Sequence, residues 1–197
     1  MKKMQILAQA RIKCCVVGDF EVGKTSIIHS YFLKPLNTVQ STLGIDFFSK
    51  SIRVGEQDVH LSMWDTAGSE RFHSLIHSYL RDSNIIIIVY DLSKPMHNLT
   101  YWLRIAEQHR PNVLGILGNK SDLTQSCTND LRNVLIPYER LQRQVVRGKC
   151  SSRDPKSVQR FMTKCLKQSV QNDAGIPEKI TPIRISKKKT QIKSCCM

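Results

Sequence analysis

Between a β-branched apolar run at 12–17 and a helix-like stretch that begins at Lys24 lies the string Gly18-Asp19-Phe20-Glu21-Val22-Gly23-Lys24-Thr25. Its spacing is G-x-x-x-x-G-K-[ST], and its position after a strand and at a helix start is the context in which backbone N–H groups wrap phosphates. The string therefore demands a strand, a tight glycine loop and a helix, the first unit of an α/β sheet. In this reading Phe20, Glu21, Val22, Gly23, Lys24, Thr25 and Ser26 surround the phosphates. Lys24 reaches the outer phosphates, and the Thr25 hydroxyl takes one position on Mg²⁺.

The rest of the chain continues the pattern. Apolar runs at 47–54, 59–64, 85–90, 113–118 and 145–150 join 12–17 as candidate strands, and helix-like stretches fall at 24–32, 72–81, 99–108, 129–141 and 156–170. This alternation predicts a six-stranded, mostly parallel sheet with helices on both faces, with one antiparallel pair at the hairpin-like turn Gly55-Glu56-Gln57-Asp58. Asp154-Pro155 supplies an N-cap and a first-turn proline for the last helix. Beyond Asn172 the periodicity stops, and Gly175, Pro177 and Pro182 lead into lysines. The organisation read from this is an N-terminal extension at 1–10, one domain at 11–171 and a flexible basic tail at 172–197.

The longest wholly apolar run covers 85–90, far short of the roughly 18 residues that cross a bilayer, and no secretory leader opens the chain. A transmembrane or secreted protein is not expected. Cysteines at 14, 15, 127, 150, 165, 195 and 196 show neither a metal-ligand spacing nor a disulfide framework, so the thiols are read as free. The net charge of +14 implies an anionic partner, and charge alone leaves nucleic acid and an anionic membrane surface both open.

A phosphate loop does not choose among nucleotides; the residues that read the base do. Asn119-Lys120-Ser121-Asp122 follows the strand at 113–118, at the carboxyl edge where α/β sheets bind ligands. The Asp122 carboxylate offers two acceptors to the N1–H and exocyclic amine of guanine, whereas adenine would set a lone pair against it. After the last strand, Ser151, Ser152 and Arg153 are candidates to place N–H groups at the guanine carbonyl, or form an ordinary turn. Asp65, at a strand end, is a candidate for the Mg²⁺ shell, and Gly68 lets the backbone approach the terminal phosphate. Thr42, in a long connection, offers a hydroxyl to Mg²⁺ when a third phosphate is present.

Together these residues resemble a Ras-superfamily small GTPase, and more closely its Rab branch, over roughly residues 11–170. The resemblance rests on the phosphate loop and on Ser41-Thr42-Leu43-Gly44-Ile45-Asp46-Phe47, Trp64-Asp65-Thr66-Ala67-Gly68, Glu70-Arg71-Phe72, Tyr90-Asp91-Leu92-Ser93 and Leu117-Gly118-Asn119-Lys120-Ser121-Asp122-Leu123. It implies a P-loop NTPase-type fold, GTP or GDP with Mg²⁺ held by Thr25, Thr42 and Asp65, and two switch segments at 36–45 and 65–80 that follow the third phosphate. It also implies effectors read by Phe47, Trp64 and Tyr79, an exchange factor, a GTPase-activating protein and a monomeric state. The terminal Cys195 and Cys196, behind Lys187, Lys188 and Lys189, resemble the doubly prenylated ends of Rab proteins. That implies a cytoplasmic protein reversibly held on the cytosolic face of a membrane, working in vesicle traffic. No nucleic-acid partner is implied.

The sequence departs from that pattern at three places. Phe20 and Glu21 put bulk and negative charge beside the phosphates. Leu36 stands where the family sets an aromatic ring on the edge of the guanine. Ser69 occupies the position of the family's water-orienting glutamine, so the catalytic set of Lys24, Thr42, Gly68 and Ser69 is expected to hydrolyse GTP slowly. A GTP-bound scaffold with negligible hydrolysis and a GTPase associated with nucleic acid are the alternative readings.

Overall fold

A computed structural model of the chain describes residues 10–36, 42, 44–66, 73–95, 98–123 and 144–173. Its strands are β1 (Ala10–Val17), β2 (Ile45–Val54), β3 (Gln57–Thr66), β4 (Ile85–Asp91), β5 (Val113–Asn119) and β6 (Gln144–Lys149). Its described helices are α1 (Lys24–Tyr31), α2 (His73–Leu80), α3 (Leu99–His109) and α4 (Pro155–Asp173). The strands form one sheet in the order β2-β3-β1-β4-β5-β6. The pair β2–β3 is antiparallel, and β1 with β3, β1 with β4, β4 with β5 and β5 with β6 are parallel. The expected six-stranded, mostly parallel sheet is therefore present; the helix expected at 129–141 and the tail from 174 lie outside the described residues.

The two faces follow from residue alternation along the strands. On β1, Ile12, Cys14 and Val16 meet Ile27 and Ile28 of α1 and Val158, Met162 and Leu166 of α4, while Cys15 and Val17 join Ile76 and Leu80 of α2 and Trp102 and Leu103 of α3. Helices thus cover both faces, so the central strands β4 and β5 are buried along all their length. That is why they read in the sequence as unbroken apolar runs rather than as alternating ones. The hairpin is tighter than the sequence suggested. Val54 already pairs with Gln57, so the turn is Gly55-Glu56 alone, with Gly55 at φ 63 in the left-handed region. The start of α4 forms as expected: Asp154 Oδ1 accepts the Lys156 N–H at 3.1 Å, and Pro155 takes the first helical position.

The ring of Phe161 holds α4 against the sheet. It lies over two glycines on neighbouring strands, with its Cζ 3.1 Å from where a Cβ on Gly115 would sit and its Cδ2 2.5 Å from a Cβ on Gly148. A side chain at Gly148 would have to displace that ring. Gly148→Ala should destabilise the fold by ~1–3 kcal/mol through overpacking. Phe161→Leu should relieve the clash, so the double variant should be more stable than the sum of the single losses by about 1 kcal/mol in urea titrations. Strict additivity would show that the ring and the glycine are not in contact.

Candidate nucleotide site

Because β1, β3, β4, β5 and β6 run parallel, their carboxyl ends lie on one edge of the sheet, and the loops that leave them converge there. The loop after β1 is shaped by two glycines. Gly18 takes φ 143, and a Cβ there would lie 2.2 Å from the Val89 carbonyl oxygen. Gly23 takes φ 92 at the N-cap of α1, and a Cβ there would lie 2.4 Å from Asn119 Nδ2. Neither position admits a side chain, which is the physical reason for glycine at both. Lys24 folds back over the loop and donates from Nζ to the carbonyls of Gly18 at 2.9 Å and Asp19 at 2.8 Å. Burial lowers its ammonium from the ordinary lysine value to about 8, against the pull of Asp65 and Asp19. Phe20 and Glu21 sit exposed on the lip of the loop, with Phe20 54% exposed and Glu21 at φ 60. Val22 is buried and Ser26 partly so.

The three residues assigned to Mg²⁺ come together from three separate segments. Thr25 Oγ1 lies 2.5 Å from Asp65 Oδ2 and 2.8 Å from Thr42 Oγ1, and Thr42 Oγ1 lies 3.2 Å from the same carboxylate oxygen. Burial raises the Asp65 carboxyl, while hydrogen bonds from Thr25 and Thr42 and the charge of Lys24 act the other way. Asp65 Oδ1 is buried without a hydrogen-bond partner. A hard oxygen cluster of this kind, with one unsatisfied carboxylate oxygen, fits Mg²⁺, which favours a few protein oxygens completed by water and phosphate. When bound there, Mg²⁺ neutralises phosphate charge; Thr25, Thr42 and Asp65 are the side chains that would hold it.

On the base side, Asn119 is fully buried and joins two loops. Its Nδ2 donates to the Val22 carbonyl at 2.9 Å, and its Oδ1 accepts the Ser152 N–H at 3.0 Å. Lys120, at φ 62, pairs with Asp91 at 2.7 Å, and Asp91 Oδ1 accepts from both the N–H and the hydroxyl of Ser93. Asp122 stands exposed at the rim. Its carboxyl is held below the ordinary aspartate value chiefly by a hydrogen bond with Ser151, and Arg153 Nη1 lies 3.5 Å away. The backbone N–H groups after β6 are engaged within the loop: that of Ser151 by Ser157 Oγ at 3.3 Å, that of Ser152 by Asn119 and that of Arg153 by Ser151 Oγ at 3.1 Å. Gly68 and Ser69 lie outside the described residues, as do Cys195 and Cys196.

The aromatic residues singled out in the sequence also meet. The Phe47 and Trp64 rings are edge to face with centroids 5.1 Å apart, and Tyr79 stacks on Trp64 at 6.4 Å. Phe47 is 48% exposed, so the group forms an aromatic surface on the β2–β3 edge.

Two contributors were not assigned from the sequence. Asp91 was quoted only within a resemblance, yet it orients Lys120. Trp102 reads in the sequence as one more apolar position of α3, but its Nε1–H donates to Asp19 Oδ1 at 2.8 Å from a side chain only 2% exposed. A buried indole must find an acceptor, which is the available signal; the acceptor, 83 positions away, is not visible locally. Since the Asp19 carbonyl also receives Lys24, Trp102 steadies the phosphate loop from behind. Trp102→Phe should remove one hydrogen bond to a carboxylate, worth ~1.5–3 kcal/mol. With about half of that loss felt at the bound nucleotide, release of a fluorescent nucleoside diphosphate should accelerate by ~3–10-fold; an unchanged rate would confine Trp102 to packing.

The sequence model of the Ras family matches residues 13–185, a span that contains every described strand from Lys13 onward and every side chain of the site above. That span brings together the glycine loop, the Thr25, Thr42 and Asp65 cluster beside it and Asn119, Lys120 and Asp122 at the same sheet edge, and the chain belongs to the Ras family of small GTPases, GTP-binding switches.

Proposed function

We propose that this GTPase is a Rab-like switch of vesicle traffic that hydrolyses GTP slowly and works at the cytosolic face of a membrane. The observation that carries the reading is the join between the metal-side cluster and the aromatic surface. Asp65 follows Trp64 directly on β3, and Asp46 and Phe47 pair with Asp65 and Trp64 across the β2–β3 ladder. Thr42, five positions before Phe47, reaches Asp65 and Thr25 through its hydroxyl. Any change in whether Thr42 is held at the phosphates is therefore passed along a short stretch of chain to the ring that a partner touches first. An exposed aromatic cluster at the end of such a lever supports an effector that binds one nucleotide state, in the manner of Rab proteins.

Membrane attachment is supported by Cys195 and Cys196 behind Lys187, Lys188 and Lys189, since two lipid chains, or one chain and a basic segment, anchor a protein stably. Slow turnover is supported by Ser69, whose side chain is too short to orient an attacking water. An activating protein that brings its own arginine and glutamine restores the reaction, provided the exposed Phe20 ring leaves room for them. The second reading, a GTP-bound scaffold, differs only in the rate.

Guanine selectivity should rest on Asp122. Asp122→Asn should weaken GTP binding ~100-fold, by loss of a charged hydrogen-bond pair, and raise affinity for xanthosine triphosphate. Equal GTP affinity in parent and variant would remove Asp122 from the base site.

Single-turnover hydrolysis of radiolabelled GTP separates the two readings. Ser69→Gln should raise the intrinsic rate ~10-fold or more by positioning the water. A parent protein that hydrolyses as fast as its Ser69→Gln variant would mean that another group does this work, and a parent with no turnover over many hours would favour the scaffold.

A further inference from the structure

Five of the thirty lysines and arginines gather at one place in the fold. A shallow groove runs between the outer strand β6 and helix α4, with Arg147 and Lys149 on the strand and Lys156, Arg160 and Lys164 on the helix. All five are exposed, and among the described residues no Asp or Glu lines the groove. The nearest acids in sequence are Asp154, whose Oδ1 accepts the Lys156 N–H at the helix start, and Asp173 at its end. Among the described residues, Lys149, Lys156, Arg160 and Lys164 take part in no ion pair. The geometry is that of a flat strip. Positions 156, 160 and 164 recur at four-residue spacing along one side of α4, about 12 Å from end to end, beside the two strand residues.

We propose that this β6–α4 face docks on an anionic bilayer and sets the orientation of the domain upon it. The inference deepens the membrane reading above and rests on it. Three observations favour a lipid surface over a nucleic acid or an acidic protein. Among the described residues the strip offers ammonium and guanidinium groups without exposed aromatic rings; its one aromatic, Phe161, is 4% exposed beneath Gly148, so no aromatic platform for successive bases is present there. After α4, which ends at Asp173, residues 174–197 carry Lys179, Arg184, Lys187, Lys188, Lys189 and Lys193 against Glu178. Strip and tail are both cationic and belong to one chain, so attractions of the two to one anionic surface add. The strand order also puts β6 at the opposite edge from β2, five strand spacings or about 24 Å away. α4 itself crosses the sheet face and meets β2 near Ile52–Val54, but Phe47 lies at the other end of that strand, about 17 Å away, so a bilayer under β6 and the Lys156–Lys164 side of α4 leaves Phe47, Trp64 and Tyr79 facing a partner in solution.

The test uses full-length, unlipidated, GDP-loaded protein, sedimented with vesicles of phosphatidylcholine alone or with about 30 mol% phosphatidylserine at ~0.1 M salt. Each cation near such a surface contributes roughly fivefold in partitioning, so Lys156→Gln/Arg160→Gln/Lys164→Gln should bind serine-containing vesicles ~100-fold more weakly, with GDP release unchanged. Acetylation footprinting of the parent should show Lys149, Lys156 and Lys164 protected by vesicles, and Lys34 and Lys94 not. A triple variant that partitions as the parent does, or protection confined to the tail lysines, overturns the proposal. So does stronger binding of duplex RNA than of vesicles at equal salt, with the same lysines protected. The tail variant Lys187→Gln/Lys188→Gln/Lys189→Gln separates the two layers. Loss of binding there, with none in the α4 variant, leaves membrane association standing and removes the orientation; loss in neither removes both.

Discussion

The site is organised around one buried carboxamide. Asn119 stands at the end of β5 with no solvent exposure; its amide donates to the phosphate loop at Val22, its oxygen receives Ser152 from the loop before α4, and its carbonyl accepts the Leu92 N–H after β4. Three loops that share no sequence neighbourhood are thereby held in one register. The close approach of its Nδ2 is also what forbids a side chain at Gly23, so the conformation of the phosphate loop and the position of the base side are set by the same group. Buried polar atoms in such a node hold because each has a partner; removing one partner leaves the others unpaired in a medium where that is expensive.

Around this node the protein keeps charges where water cannot easily reach them. Lys24 and Asp65 are both buried, and burial pushes each toward its neutral form, the lysine down to about 8 and the aspartate upward. The two charges partly offset each other, and Thr25 and Thr42 supply hydrogen bonds to the carboxylate. A phosphate chain beside Lys24 and a divalent cation beside Asp65 complete both halves. Nucleotide binding and folding stability are therefore linked: a ligand that favours the folded state raises its stability in proportion to its concentration over its dissociation constant.

The sheet separates the consequences of that binding. Its β2–β3 edge carries Phe47 and Trp64 one residue from Asp46 and Asp65, so the exposed aromatic surface is also the one nearest the Thr25, Thr42 and Asp65 cluster. The β6 edge lies at the far end of the strand order and carries basic residues in place of aromatic ones. Aromatic rings gain from desolvation against a protein partner, whereas solvated ammonium groups gain from a field of opposite charge. The same domain thus presents chemically different faces in opposite directions, with the nucleotide loops along the edge that joins them.

Much of this was legible before the fold was seen. The phosphate loop was recognisable because two glycines, a lysine and a hydroxyl at fixed spacing do their work locally, and the strands because buried parallel strands are continuous apolar runs whatever they pair with. Strand limits moved by one to two residues, and the hairpin turn shortened to Gly55-Glu56, since only the ladder partner decides where pairing ends. What the chain order could not contain was the pairing of distant groups: Trp102 with Asp19, Asn119 with Val22 and Ser152, Asp91 with Lys120, and the assembly of Arg147, Lys149, Lys156, Arg160 and Lys164 into one strip. By itself the sequence determined the glycine loop and the candidate residues for phosphate, base and metal, because those readings depend on chemistry and short spacing. Tertiary structure alone decided which buried donor meets which acceptor, which edge carries the aromatic rings and which the basic strip, because those depend on how βα units stack in space, an order that differs from their order along the chain.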